Sequence, residues 1–393
     1  MKLDKEVLSA GISDSSPVYV YDLAALRFRC KRFAGIMPAR KRIFFATMAN
    51  DHPEVLACIH GCGFGAFVNS PAHLRLAQEA GFPAEQIIYA ATNMLPSEME
   101  MCVRKKVNLV LDSIGQVKTL GQVLNGRSLG IGVRLNVGRS TPDLPKIHLD
   151  PNYRFGLLPS EIPEAVAIAR QAKITIKGAH SYFGTGLMSE EVLVAGLQRL
   201  AEAASALPHL EYLDVAGGMG VPGKRGENEF DIDAYGRQAA NLLAQAERAL
   251  DRELTLFIEP GRYTVADCGY YFVKVVDCKV RPDRVFVGTT GSVATFPRPL
   301  IYGEQARHPC EIVEAQERPN CSLPIYVCGN STYSQDFLAQ GISLPMPEQG
   351  EHLVFHHAGA YCRSMFSNFL GKDRPDEVML DSRRALRSVA KVS

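Results

Sequence analysis

The sequence is short of excess charge of either sign, of long apolar runs and of paired cysteines. Its 43 Lys and Arg stand against 42 Asp and Glu, a net charge of +1 that removes any electrostatic case for a nucleic-acid or anionic-membrane partner. No apolar run approaches the roughly 18 residues that cross a bilayer. The opening MKLDKEVLSAG lacks the apolar core of a secretion signal, so a cytoplasmic protein acting on a small molecule is expected. The ten cysteines are scattered, at 30, 58, 62, 102, 268, 278, 310, 321, 328 and 362, with no CxxC pair, and reduced, mostly buried thiols are expected. Cys58-Ile59-His60-Gly61-Cys62 falls at a helix end before Gly63 and Gly65 and reads as structure, so no metal is expected. Internal repeats and low-complexity segments are also lacking.

What is present suits two substantial cores: 393 residues, 46% hydrophobic and 22% charged. Runs of strand length at 43–46, 66–68, 87–90, 109–111, 130–137, 174–180, 211–215 and 254–259 alternate with amphipathic segments near 53–60, 71–80, 97–106, 114–122, 160–171, 189–206 and 231–250. The alternation points to an α/β fold, a (β/α)8 TIM barrel, with a doubly wound sheet as the alternative. Polar and glycine-rich residues follow the strands: Asn50, Ser70, Thr92, Asn93, Asp112, Ser113, Arg134, Asn136, His180, the glycines at 217, 218 and 220, and Glu259 with Arg262. In a barrel these converge on one mouth.

Past about residue 265 the rhythm changes to strand-like runs at 269–280, 284–287, 323–327 and 352–355 between Gly/Pro-rich turns, with a helical pattern only near the end. A second, β-rich domain is expected over 266–393. It is joined by residues 1–23, whose strand at 18–21 has no partner inside a closed barrel, and the barrel is expected over 24–265.

The run LTLFIEPGR at 254–262 ends on Glu259-Pro260-Gly261-Arg262, where proline stops a central strand and glycine permits a tight turn. Alone this is either a surface turn with a charge pair or the edge of a site. Gly217-Gly218-Met219-Gly220 follows the apolar YLDVA, and such a loop lets backbone N–H groups approach a phosphate. Arg262 adds a permanent cation at the next strand end, so a phosphorylated ligand is expected. A carboxylate repels phosphate, so Glu259 needs a different role; a carboxylate that held a pyridinium nitrogen protonated would keep a pyridoxal 5′-phosphate (PLP) ring an effective electron sink, which is a chemically coherent assignment.

With these residues assembled, the chain resembles the fold type III PLP-dependent decarboxylases, the group of diaminopimelate and ornithine decarboxylases. The likeness runs through PVYVYD, FFATMAN, GFGAFVNS, IGVRLNV, RFG, GAHSYFGTG, DVAGGMG, EPGR, RPLIYG, GNSTYSQD and HHAGAY, in order and over nearly the whole chain. It implies a barrel plus a C-terminal β-domain in the alanine racemase-like arrangement, PLP as cofactor, an amino-acid-like substrate, and a homodimer with shared active sites. Gly217, Gly218, Gly220, Gly261, Arg262 and Thr185 are similar to the phosphate-holding positions, and Glu259 to the ring-nitrogen partner. His180 lies at the same strand end as Tyr182, which stands where an imidazole usually stacks on the ring. Tyr361 resembles the tyrosine that reaches the cofactor from the β-domain, and Arg298 and Tyr302 resemble residues near a substrate carboxylate.

The chain departs from the family where the reaction is done. The Schiff-base lysine belongs in the segment that here reads Phe45-Ala46-Thr47-Met48-Ala49-Asn50, with Met48 in its place, and a thioether cannot form an imine. Thr332 occupies the catalytic cysteine's position, Tyr333 replaces an acidic residue of the diaminopimelate enzymes, and Phe67 and His73 stand where Asp and Glu are usual. Asp336 is a candidate for orienting the substrate amine, and Tyr333 or Thr332 for returning a proton. Met48 is either an introduced substitution or a native departure. The resemblance implies a decarboxylase with non-standard or disabled Schiff-base chemistry; the alternatives are a non-catalytic PLP-binding homologue that regulates or scaffolds, and a PLP-dependent racemase.

Overall fold

The computed structural model describes residues 4–12, 17–138, 153–223, 227–313, 315, 318–381 and 387–388. The chain divides into two compact units. One comprises Met1–Arg29, Val221–Asn228 and Thr264–Ser393; the other comprises Cys30–Gly220 and Glu229–Tyr263.

Strand β1 (Val18–Asp22) belongs to the first unit, and the second unit is a barrel. Its strands are β2 (Lys41–Ala46), β3 (Gly65–Val68), β4 (Ile87–Ala90), β5 (Asn108–Leu111), β6 (Leu129–Arg134), β7 (Ile174–His180), β8 (Tyr212–Asp214) and β9 (Thr255–Ile258). Each pairs parallel with the next, and β9 returns to β2 with Lys41 opposite Leu256 and Ile43 opposite Ile258. That closure rules out the doubly wound sheet. The sixth strand stops at Arg134 rather than running to 137, because Leu135 and Asn136 turn to Leu157; Asn136 N–H donates to the Leu157 carbonyl at 2.8 Å.

Helices Pro53–Gly61, Pro71–Glu79, Pro96–Lys105, Ile114–Leu124, Ile162–Gln171, Glu191–Ala204 and Ile232–Leu250 separate the strands. Local chemistry fixes where they start: proline sits in the first turn of several, and Ser70, Ser113 and Asp231 accept from the orphaned N–H groups of the first turn. Inside the barrel Phe44, Ile88, Val110 and Phe257 are buried, with Phe67, Ala90 and Tyr212 packed against them. The Tyr212 and Phe257 rings stack at 4.1 Å and 7°. Gly178 and Gly132 make room for Tyr212, since a Cβ at Gly178 would strike the ring and one at Gly132 the hydroxyl.

The first unit continues with β10 (Gly269–Arg281), β11 (Arg284–Thr289), β12 (Cys310–Ile312), β13 (Ile325–Cys328), β14 (Phe337–Ile342), β15 (His352–Phe355), β16 (Asp376–Leu380) and β17 (Arg387–Ser388). The sheet order is β14-β13-β11-β10-β1-β16-β17, with β15 also on β10 and β12 on β15. β1 is antiparallel to β10 and parallel to β16. Val18, Val20, Tyr270, Phe272, Val354 and Leu380 close one face over Val7 and Ala10 of a short helix, Lys5–Gly11. Val378 and Met379 take partners from both β1 and β17, and the helical pattern expected near the end lies largely outside the described residues.

Candidate active site

The ends of β7, β8 and β9 bring three ionisable side chains together out of water. His180, Asp214 and Glu259 are 2%, 0% and 4% exposed, and one ligand atom from each lies within 4.8 Å of the others. His180 Nε2 is 3.4 Å from Glu259 Oε2 without hydrogen-bond geometry, and Glu259 Oε1, Asp214 Oδ2 and both His180 nitrogens have no hydrogen-bond partner. The other Asp214 oxygen accepts from Ala216 N–H at 2.9 Å, and Ala216 (φ +51°) turns the chain into the glycine loop.

Burial sets the charge state of this cluster. It pushes the Glu259 carboxyl up to about 8, against the opposing pull of the neighbouring Asp214 carboxyl and of the Arg134 guanidinium. Burial raises Asp214 well above its ordinary value too, and the neighbouring Glu259 charge adds to it. His180 is pushed down to about 4, again chiefly by burial. At neutral pH the protein therefore holds a neutral imidazole beside carboxyls that keep protons, which avoids charges with no partner. Phe67 on β3 lies parallel to the imidazole, 5.9 Å away at 9°.

A glycine corner adjoins the cluster. A Cβ on Gly217 would strike the Glu259 carbonyl, one on Gly218 (φ +106°) the Gly184 carbonyl, and one on Gly220 would sit 2.5 Å from Met188 Sδ. Leu187 N–H donates to Gly218 O at 3.0 Å and Gly220 N–H to Leu187 O at 2.7 Å, so the loops after β7 and β8 are joined. Arg262 follows Gly261 after β9, and its Nη2 donates to Thr185 Oγ1 at 3.5 Å. The structure thus gathers Thr185, Gly217, Gly218, Gly220, Gly261 and Arg262 on three consecutive strand ends. Tyr182, just past β7, is half-buried.

Nearby, Phe155 is sandwiched between two guanidiniums, Arg134 at 4.3 Å and Arg154 at 4.2 Å from its centroid. Asp112 lies 3.9 Å from Arg134 and accepts from Gly156 N–H at 3.2 Å. Met48 is half-buried in a single turn, Thr47–Ala49, directly after β2. Thr47 hydroxyl donates to Phe67 O at 3.0 Å, and Ala46 N–H to Pro260 O at 3.5 Å, which sets Met48 between the ends of β3 and β9. His73 lies 2.9 Å from Asn69 Oδ1 and 3.9 Å from Asp51.

The remaining candidates belong to the first unit. Thr332 is exposed, and the half-buried Tyr333 ring meets Phe369 edge-on at 5.5 Å. Asp336 is buried at 4%, and its carboxylate accepts from Val293 N–H at 2.7 Å, from Ser331 N–H at 3.1 Å and from the Ser331 hydroxyl. In this conformation the Asp336 carboxylate closes a turn of its own loop. Arg298 is buried on the helix Arg298–Tyr302, and its Nη1 donates to His308 Nε2 at 2.7 Å while His308 Nδ1 donates to His356 O at 2.9 Å. Tyr302 is 38% exposed, and Tyr361 is half-buried with φ +56°. Asp214 was missed by sequence reasoning, although its place in DVAGGMG directly before the glycines was a signal that could have found it.

Residues 23–266 match the family profile described as the pyridoxal-dependent decarboxylase, pyridoxal binding domain. The chain belongs to the pyridoxal-dependent decarboxylases. It is 28% identical to the diaminopimelate decarboxylase of Methanothermobacter thermautotrophicus over 93% of this chain and 86% of that one. It is 29% identical to that of Deinococcus radiodurans over 93% and 90%. In fold it is similar to Helicobacter pylori diaminopimelate decarboxylase complexed with L-lysine, with TM-score 0.86, 24% identity and coverage of 96% and 94%. It is also similar to Vibrio vulnificus lysine/ornithine decarboxylase complexed with putrescine, with TM-score 0.82, 18% identity and coverage of 96% and 99%.

PLP is the cofactor of this decarboxylase family, and the residues present fit it. Glu259 Oε1 is a buried acceptor with no partner, suited to a ring N–H, and the glycine corner is packed too closely for any Cβ, which leaves bare backbone beside a cation and a hydroxyl suited to a phosphate. No described helix of this decarboxylase is long and apolar enough to cross a membrane.

Proposed function

We propose that this decarboxylase holds PLP without a covalent bond and acts on an amino acid or another carboxylate-bearing amine, with turnover limited by the missing lysine. The observation that carries the reading is the pairing of an intact holding site with Met48: Glu259 is buried with an open acceptor, while the position after β2 offers a thioether. Bound PLP supplies an electron sink for the pair left behind when a carboxylate departs. Glu259 enters with its proton on at neutral pH, as burial dictates, and can give that proton to the ring nitrogen. The cation Arg262, with Thr185, orients the phosphate. Arg298, turned by His308, is the candidate for the substrate carboxylate, and Tyr333 or Thr332 for proton return. His180 stays neutral and sits under Phe67, so it shields the ring-nitrogen end from water rather than carrying charge.

The test is Met48→Lys. The variant is expected to form a borohydride-reducible linkage to PLP at position 48, read by mass, whereas the chain carrying Met48 forms none. A reduced adduct on the Met48 chain sinks the reading. A chain that retains no PLP, judged by absorbance and mass, sinks it too.

A non-catalytic, ligand-holding homologue is the second reading, and Met48 together with the exposed Thr332 favours it. Release of CO₂ from an amino acid by protein verified to carry Met48 counts against that alternative. A homodimer with shared sites is part of the first reading, supported by the family likeness and by the apolar exposure of Leu300, Ile301 and Tyr302, at 41%, 55% and 38%.

A further inference from the structure

The two ends of the site differ in what they offer a ligand. The ring-nitrogen end has a buried carboxyl, and the phosphate end has a fitted glycine corner with Arg262 and Thr185. The side to which the family's lysine belongs is apolar here. Met48 stands after β2, and Phe67, whose carbonyl accepts from Thr47, stands on β3 with its ring against the neutral imidazole of His180.

No described lysine of the barrel unit takes over. Lys31 lies on a helix, Lys41 opens β2, Lys105, Lys106 and Lys118 are on or at the end of helices, Lys173 precedes β7, and Lys177 in mid-strand pairs with Glu211 at 2.9 Å. All of them lie away from the strand ends that carry the site. The attractive contacts are thus with the phosphate and the ring nitrogen, and none that the structure provides distinguishes an aldehyde carbon from a saturated one.

We propose that this site takes the phosphorylated pyridoxine ring whatever the oxidation state at its C4′ carbon, so that pyridoxine 5′-phosphate and pyridoxamine 5′-phosphate are ligands on equal terms with PLP. The inference rests on the reading that Glu259 faces the ring nitrogen and the glycine corner the phosphate. It extends that reading by naming the ligand class. An enzyme anchored by a lysine gains a covalent bond only with the aldehyde and discriminates strongly. A site with a thioether there has lost the means to do so.

Equilibrium dialysis of the full chain against each of the three compounds, in phosphate-free buffer, tests this. The expected result is three dissociation constants within about tenfold of one another. PLP binding more than about tenfold tighter than both others overturns the inference and leaves the placement of the site standing. Failure of all three to bind overturns both. Two variants sharpen the reading. Met48→Lys is expected to widen the preference for PLP over pyridoxine 5′-phosphate beyond about a hundredfold. Arg262→Ala is expected to weaken all three ligands by a similar factor, and weakening of PLP alone would overturn the claim of shared contacts.

Discussion

Glu259 and His180 titrate in opposite senses, and together they shape the stability of the ligand-free protein. Glu259 is raised in the fold from its ordinary 4.5 to about 8. Across that window the folded chain keeps a proton that the unfolded chain has released, so stability falls as pH rises. His180 is lowered from 6.5 to about 4, so the unfolded chain takes up the proton first and stability rises with pH over that range. The two effects offset each other up to about pH 6.5. Above it Glu259 remains, and it removes up to about 1.4 kcal/mol per pH unit. The urea midpoint is expected to fall between pH 6.5 and 8, and Glu259→Gln is expected to flatten that fall; an unchanged slope in the variant would mean that another group titrates. Glu259 itself was legible because Pro260 and Gly261 stop an apolar run. Its partnership with Asp214 was not, because it depends on β8 lying beside β9 with Asp214 opposite Phe257, a register that no local pattern encodes.

Among elements, the barrel strands were legible as apolar runs because both faces of a parallel strand are covered and little alternation is needed. The short strands of the other unit were harder. Cys310–Ile312 has three residues, and Phe337–Ile342 has a single buried position among half-buried and exposed ones, so neither carries a readable period. The turn of helix at Arg298–Tyr302 was hidden by two prolines, one of which is suited to a helix's first turn. A stability test at this scale is Gly178→Ala on β7. Its methyl would meet the Tyr212 ring that fills the barrel, and overpacking of this kind costs on the order of 1–3 kcal/mol. A lowered urea midpoint with unchanged far-ultraviolet dichroism is expected, and a midpoint equal to that of the parent chain would show that the ring moves aside freely.

At the scale of the molecule, a sheet-rich unit is assembled from both ends of the chain, with β1 between β10 and β16, while the intervening residues close a barrel. The proposed homodimer is tested by sedimentation, with twice the chain mass of 43.1 kDa expected and the single-chain mass excluding shared sites. With a net charge of +1 that association should depend little on salt, because no large opposing charge needs screening. The proposed holding residues follow β7, β8 and β9, and the position that the family likeness assigns to a lysine follows β2. Retention of a ligand and turnover of it are therefore inherited through different segments. A change at position 48 leaves every one of the proposed holding residues in place, and since one base separates a methionine codon from a lysine codon, the two capacities can be gained or lost independently of one another.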